Sequence, residues 1–384
     1  MNSVAIKMLM GDRAKYVGIV IGLSFAALLM TQQMSIFAGL MTRTFGFITD
    51  TSLPQIWVMD PKVQYIDDLK PMQDTELYRV RGVDGVEWAM PLYKGLLRAR
   101  LSNGNFQTCN VIGLDDATLI GGPPEMVEGS LADLRRAQSV IVDDVGAKGK
   151  LAKVEPDGTR TPLRVGDTLE LNDNRAVVVG ICRVSRTFQS QPVIYTTYSR
   201  ATTFAPRERK LLSFILVQPA PGVEPKELCR RIEAATGLIA YTAPDFKWLT
   251  VSYFIKYTGI PINFGISTML GLIVGAAIAG QTFYNFTLDN IKQFGALKAM
   301  GAPNLLLLRM ILIQALVVGF VGYGIGVGCA SFFGTTAGRT ELAFRLLPET
   351  LLIVAGAVLF VCMLSAVISM WKVLRLEPAI VFKT

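Results

Sequence analysis

The residues of this chain that could do chemistry are few, and their types narrow what that chemistry is. Among 384 residues there is no histidine. That excludes Ser-His-Asp and Cys-His nucleophilic catalysis, His-ligated zinc and an imidazole pH switch. Adjacent carboxylates occur at Asp67-Asp68, Asp115-Asp116 and Asp143-Asp144. General acid–base work or calcium binding needs carboxylates that converge, whereas sequence neighbours tend to point apart, so these pairs read as solvated loops. The run Gly146-Ala147-Lys148-Gly149-Lys150 is the nearest approach to a phosphate-cradling loop. Its spacing departs from G-x-x-x-x-G-K-[ST], and Leu151 follows the lysine where a hydroxyl would hold magnesium, so no ATP site of that kind is expected. Cys109, Cys182, Cys229, Cys329 and Cys362 are too scattered for a metal cluster or a C-x-x-C pair. The first three allow one disulfide or stay as buried thiols. The expectation is a chain with no catalytic residues, no metal ligands and no cofactor of its own.

Apolar length is what the sequence has in abundance. Hydrophobic residues make up 51 % and charged residues 18 %, a balance unlike that of a soluble or disordered chain. Four stretches carry no charge: 16–42, 257–288, 310–338 and 350–371. Each exceeds the ~20 residues that cross a bilayer core. The first follows a basic segment, 1–15, but is too long for a signal-peptide core and reads as an uncleaved helix. The intervening segments are a large domain at 43–256, a short loop at 289–309, a second loop at 339–349 and a tail at 372–384.

Charge sets the orientation. Lys7, Arg13, Lys15, Lys292, Lys298, Arg309, Lys372, Arg375 and Lys383 fall on one side, against Arg339 and Arg345 in the other short loop. Positive charge accumulates on the cytoplasmic side, so both termini are expected inside and 43–256 outside a bacterial inner membrane. The formal charge of +8 is then mostly this bias and not a nucleic-acid footprint.

The segment 43–256 is long enough for its own core. Strand-like runs at 55–59, 86–90, 96–101, 108–113, 139–142, 168–171, 176–182 and 192–195 are separated by turn signals, among them Ser102-Asn103-Gly104, Gly121-Gly122-Pro123-Pro124 and Pro156-Asp157-Gly158. A strand–helix–strand unit follows, with a helix over 224–236 stopped by Gly237. The fold class expected is α+β, with a β-rich lobe of its own at about 131–205. Phe246, Leu249 and Tyr253 suggest a helical stalk over 244–257, broken by Thr258-Gly259-Ile260-Pro261.

The spans carry no ionisable group, which argues against an ion-coupled carrier. They carry glycines four apart instead: Gly18/Gly22, Gly271/Gly275, Gly322/Gly326 and Gly324/Gly328. That spacing lets backbones approach closely, either inside one bundle or between two copies. The segment 285–303 is short, helix-compatible and stopped at Gly301-Ala302-Pro303. Ile291, Phe294 and Leu297 form its apolar side, and Asp289, Lys292 and Lys298 a polar one.

Here the chain resembles a known family. Gln293-Phe294-Gly295-Ala296-Leu297-Lys298-Ala299-Met300-Gly301-Ala302 is similar to the E-I-G-x-L-R-A-x-G-A stretch of FtsX-like, MacB-type ABC transporter permeases. Gln293 stands where that family usually has Glu. The N-terminal Asp12-Arg13-Ala14-Lys15 and Leu28-Leu29-Met30-Thr31-Gln32-Gln33 look like the DevC subgroup, and the tail Leu374-Arg375-Leu376-Glu377-Pro378-Ala379 is similar to the family's closing pattern. The resemblance implies a non-catalytic permease subunit acting with a separate ABC ATPase that uses ATP and magnesium. It also implies a second copy of the chain, a periplasmic adaptor (membrane fusion protein) and an outer-membrane channel. Asp289, Lys292, Gln293, Phe294, Leu297, Lys298, Met300 and Gly301 would then couple the ATPase to the membrane helices, with export of cargo as the result. The alternatives within the resemblance are a transmembrane relay to a cell-wall hydrolase and lipoprotein extraction of the LolC and LolE kind.

Overall fold

The computed structural model describes residues 2–155, 158–206, 212–337 and 342–374. Its helices and strands begin with α1 (Asn2–Gly11), α2 (Arg13–Thr44), α3 (Gly46–Asp50), β1 (Ile56–Met59), α4 (Thr75–Arg81), β2 (Val86–Arg100), β3 (Phe106–Leu114) and β4 (Glu125–Glu128). They continue with β5 (Ser139–Asp143), α5 (Asp144–Lys148), β6 (Lys153–Val154), β7 (Arg160–Thr161), β8 (Thr168–Leu171), β9 (Asn174–Arg183), β10 (Val193–Thr197) and α6 (Tyr198–Phe204). The remainder are β11 (Phe214–Pro219), α7 (Pro225–Thr236), β12 (Ile239–Thr242), α8 (Ala243–Tyr257), α9 (Ile260–Asp289), α10 (Ile291–Ala299), α11 (Asn304–Ala337) and α12 (Pro348–Leu374). Two compact units result: Met41–Thr258, and Met1–Leu40 together with Gly259–Thr384. Of the motifs singled out in the sequence, Pro156-Asp157, Arg339 and the tail from Arg375 onward lie outside the described residues.

In the second unit, α2, α9, α11 and α12 are long and apolar enough to cross a membrane. The fold class is therefore four membrane helices in a 1+3 order, with the large α/β domain between the first and second. Runs of this kind become helices because lipid offers no partner for a free backbone amide or carbonyl. The glycines set how close the helices lie. A Cβ on Gly22 would fall 2.5 Å from Ile278 Cγ2 of α9, and one on Gly275 would collide with Ala26 Cβ of α2. A Cβ on Gly271 would lie 3.3 Å from Leu29 Cβ, and one on Gly18 3.7 Å from Thr282 Cγ2. On α11, a Cβ on Gly322 would meet Leu23 Cβ at 2.7 Å, and one on Gly326 the Ser24 carbonyl oxygen at 2.5 Å. These three pairs thus pack α2 against α9 and α11 within one chain. Gly324 and Gly328 have open space beside them.

The N-terminal segment 1–15 contains a helix that its charges did not announce. Ala5 and Leu9 of α1 are buried in the same apolar cluster as Ile19, Phe283 and Met310. Gln314 Nε2 of α11 donates to the Ala5 carbonyl at 2.8 Å.

The large domain is organised by one sheet, in the order β12-β1-β11-β2-β3-β10-β5-β9-β4, with β8 joining β2 and β9. Among the described residues, only the β10–β3 and β5–β9 pairings are parallel. Strand β2 is the hinge of this arrangement. Its first half, up to Leu92, pairs with β11, and from Tyr93 onward it pairs with β3. Ser213 seals the change of partner: its hydroxyl accepts from Lys94 N at 2.9 Å and donates to the Lys94 carbonyl at 3.0 Å. The two strand-like runs around Pro91 and Gly95 are therefore one strand.

The expected lobe at 131–205 is corrected in the same way. Its strands β8 and β10 pair with β2 and β3, so it shares the ladder and does not stand apart. Trp57 centres the core against Phe47, Phe214 and Phe246, with ring centroids 5.9, 5.6 and 5.6 Å away. Helix α7 ends where Gly237 turns left-handed, at φ 74°. Helix α8 stops at Tyr257, and α9 restarts with proline in its first turn.

Close packing makes a sharp contrast between neighbouring glycines of one helix. Gly326→Val is expected to destabilise the protein by about 1–3 kcal/mol, because Ser24 backbone cannot retreat. Gly324→Val is expected to leave thermal unfolding in detergent unchanged. Equal effects of the two substitutions would contradict this packing.

Candidate functional site

The site is built on the α9–α10–α11 turn. Asn290 makes its first corner. Its side-chain Nδ2 donates to the Phe286 carbonyl at 2.8 Å, and its own carbonyl accepts from Gln293 N and Phe294 N at 3.0 and 3.1 Å. One residue therefore closes α9 and opens α10. The second corner is a Schellman turn. Ala302 N donates to the Leu297 carbonyl at 3.0 Å and Gly301 N to the Lys298 carbonyl at 3.1 Å. Gly301 sits at φ 93°, which a side chain rarely adopts.

Helix α10 presents two faces. Phe294 is fully buried among Phe283, Phe286, Leu307 and Met310, with Leu297 packed beside it. The apolar side read from the sequence thus anchors the helix to its own bundle. Lys292, Gln293, Ala296 and Ala299 are exposed on the other face. Met300 and Leu305 flank the second corner, each 75 % exposed. Lys298 is half-buried. Asp289 forms an ion pair with Lys15 of α2, and Lys15 also meets Asp12 at 2.8 Å. The Lys15 ammonium holds the Asp12 carboxyl below its ordinary range.

The sequence-derived residues thus divide by role. Phe294 and Leu297 are anchors, Gly301 shapes the corner, and Asp289 is tied to α2. Lys292, Gln293 and Met300 are available to a partner. Leu305 joins them unannounced: it falls in the loop at 289–309 but beyond the residues expected to couple to the ATPase. Asn290 was missed as well. An Asn ahead of an apolar helical run is the signal that could have found it.

Elsewhere, polar groups serve structure. Asp143 is buried, which corrects its reading as a solvated loop. It accepts from Gly146 N at 2.8 Å and Val193 N at 2.7 Å, capping α5 and fastening β5 to β10. Burial pushes its carboxyl up against these bonds. Asp67 pairs with Lys94, whose side chain is 4 % exposed. Asp115 holds the turn at Thr118, and Asp116 accepts from Ser199 N and Oγ.

All five cysteines are free thiols. Burial pushes Cys229 up to about 12 and Cys109 and Cys182 higher. A cleft of about 580 Å³ in the large domain is rimmed by Arg100, Lys153, Glu170 and Arg175 over Leu151 and Leu163. Among the described residues, no cluster of potential metal ligands occurs.

Four membrane helices, a large domain after the first and an exposed anchored turn after the second define a multi-pass membrane protein of permease type. Residues 251–378 match the model of the FtsX-like permease C-terminal domain, and residues 17–235 that of the MacB-like periplasmic core domain. The chain belongs to the FtsX/MacB-type ABC transporter permeases.

Uncharacterized ABC transporter permeases of two Mycobacterium tuberculosis strains, CDC 1551 and H37Rv, are each 23 % identical over 322 residues, covering 81 % of this chain and 79 % of theirs. Among solved structures, the periplasmic region of MacB from Actinobacillus actinomycetemcomitans is 16 % identical at a TM-score of 0.37. That match covers 55 % of this chain and 96 % of that one. The extracellular domain of the noncanonic ABC-type transporter YknZ from Gram-positive bacteria is 12 % identical at a TM-score of 0.34, over 48 % and 92 % of the two chains.

The second corner depends on a left-handed residue. Gly301→Val is expected to fray the end of α10, at a cost of about 1–3 kcal/mol. Hydrogen exchange at Gly301→Val and Ala302 amides should rise. Gly301→Asn, which tolerates this conformation, should keep them protected. Equal protection in both variants would contradict the turn.

Proposed function

We propose that the chain is the permease subunit of an ABC-type export system, with α10 as the element on which a separate ATPase acts. The observation that carries the reading is the division of α10: Phe294 locked into the bundle on one side, Lys292, Gln293 and Met300 free on the other. A push on such a helix moves the bundle, because the buried ring transmits it to the α9 and α11 residues around it.

ATP and magnesium belong to the ATPase in this scheme, as this chain has no P-loop. Both termini and α10 lie in the cytoplasm, and Met41–Thr258 lies on the far side of a bacterial inner membrane, following the distribution of lysine and arginine. Two copies pair in the membrane. ATP-driven closure of the ATPase moves α10, and α2 and α9 carry the motion outward to the large domain. There it drives efflux through a periplasmic adaptor and an outer-membrane channel, in the manner of DevC-like systems. Cargo enters from outside the membrane helices, in keeping with the uncharged stretches 16–42, 257–288, 310–338 and 350–371.

Purification of the tagged chain from its native host in mild detergent tests this. A soluble ATPase is expected in stoichiometric amount, together with an adaptor. Lys298→Glu and Met300→Glu are expected to lower ATPase recovery at least tenfold while leaving the thermal unfolding of the permease unchanged. A hydrolase or lipoprotein chaperone in place of the adaptor would replace export with signal relay or lipoprotein extraction. Full ATPase recovery with both variants would contradict the role of α10.

A further inference from the structure

The cleft in the large domain is a gap in the sheet. Among the described residues, β8 joins β2 over two positions, Ala99 with Leu171 and Arg100 with Glu170. Beside them Asn172 N donates to the Arg98 carbonyl at 2.9 Å. Bonds to one neighbour recur at every second residue of an antiparallel strand, so Thr168 is the next residue of β8 whose amide and carbonyl turn toward β2. By that level β2 has ended. Leu101 N donates to the Asn105 carbonyl at 2.8 Å, and Ser102 Oγ accepts from Val154 N at 2.9 Å and donates to the Val154 carbonyl at 3.1 Å. The backbone of Thr168 is left facing the gap, which Thr168 lines.

The gap holds about 580 Å³, room for a molecule of drug size. Its floor is apolar. Leu151 and Leu163 are buried there, and Leu101 and Leu169 pack against the same core. Five charged residues line it: Arg100, Lys153, Glu170, Asp173 and Arg175. Three of them have partners, Lys153 with Asp167 at 2.6 Å and Arg100 with Glu170 at 3.8 Å. Asp173 and Arg175 form no ion pair or side-chain hydrogen bond among the described residues. They flank the tight turn from β8 to β9, where Asn172 and Asp173 are both left-handed at φ 43° and 64°. An unpaired surface charge is ordinary by itself. Here two of opposite sign share one cleft with a free strand edge and a leucine floor.

We propose that this cleft binds a short apolar peptide with free ends, of about three residues. The Arg175 guanidinium takes its carboxylate and the Asp173 carboxylate its ammonium group. The Thr168 backbone pairs with a peptide amide of the ligand, which continues the ladder where β2 stops. Apolar side chains of the ligand cover the leucine floor. An apolar acid would leave Asp173 unmatched and an apolar amine would leave Arg175 unmatched, whereas a peptide with both ends free answers both charges and the open backbone.

Calorimetric titration of the full chain in lipid nanodiscs with trileucine tests the site. Saturable binding is expected with a Kd of about 1 mM or tighter. Arg175→Gln and Asp173→Asn should each weaken it about tenfold, while Arg230→Gln on the exposed face of α7 should not change it. Asparagine tolerates the left-handed backbone at 173, and both variants should keep the thermal unfolding of the parent chain. Amidating the carboxylate of trileucine should cost the parent chain about tenfold and Arg175→Gln little further, because the two changes remove the same contact. Absence of saturable binding would overturn the proposal. So would binding that neither variant weakens. Leucine bound as tightly as trileucine would overturn the pairing of a peptide with Thr168.

Discussion

The membrane unit depends on how closely α2 approaches its neighbours. Gly22 and Gly275 on one side, and Gly322 and Gly326 on the other, leave no room for a methyl group. Helices of this kind gain nothing from burying apolar surface in a solvent that is itself apolar. Their association rests on van der Waals contact and a few interhelical hydrogen bonds. Ser24, Thr31 and Ser35 of α2 are buried without side-chain partners. The tightness of the glycine contacts therefore matters all the more, because few polar bonds reinforce them.

From that packing follows the stiffness of the turn beyond it. Helix α9 is held against α2, α10 leaves α9 through a single residue, and Phe294 returns α10 to the same apolar cluster. The turn is therefore anchored at both corners and along one face. Such an element suits a partner that delivers force, since a floppy loop would absorb the displacement. The large domain follows the same logic with different means. Strand β2 runs unbroken between two sets of partners, and Trp57 fixes α3, β11 and α8 around one aromatic core.

Much of this was legible in the sequence, and the reasons are physical. A membrane span must be uncharged and long, so the four helices declare themselves by composition. Gly237 and Gly301 mark helix ends because only glycine accepts their backbone angles cheaply. Long-range choices were not legible. Pro91 and Gly95 look like a strand break, yet tertiary pairing carries β2 through them. The strands at 131–205 have the right local pattern for a separate lobe, and only their pairing with β2 and β3 says otherwise. Asp143 looks like half of a solvated acidic pair, but its partner amides at Gly146 and Val193 include one 50 residues away. In the turn, the sequence identified an apolar and a polar side of α10. Which side faces the bundle emerged from Phe294, and the exposed Leu305 was hidden inside a run of leucines.

The proposed function has a separate ATPase bear directly on the α9–α10–α11 turn. A photoreactive residue placed at position 305 in the full-length chain, activated in native membranes, tests it most directly. A cross-linked adduct with an ATP-binding protein, identified by mass spectrometry, is the expected result. Adducts with lipid alone, under every nucleotide condition, would contradict it.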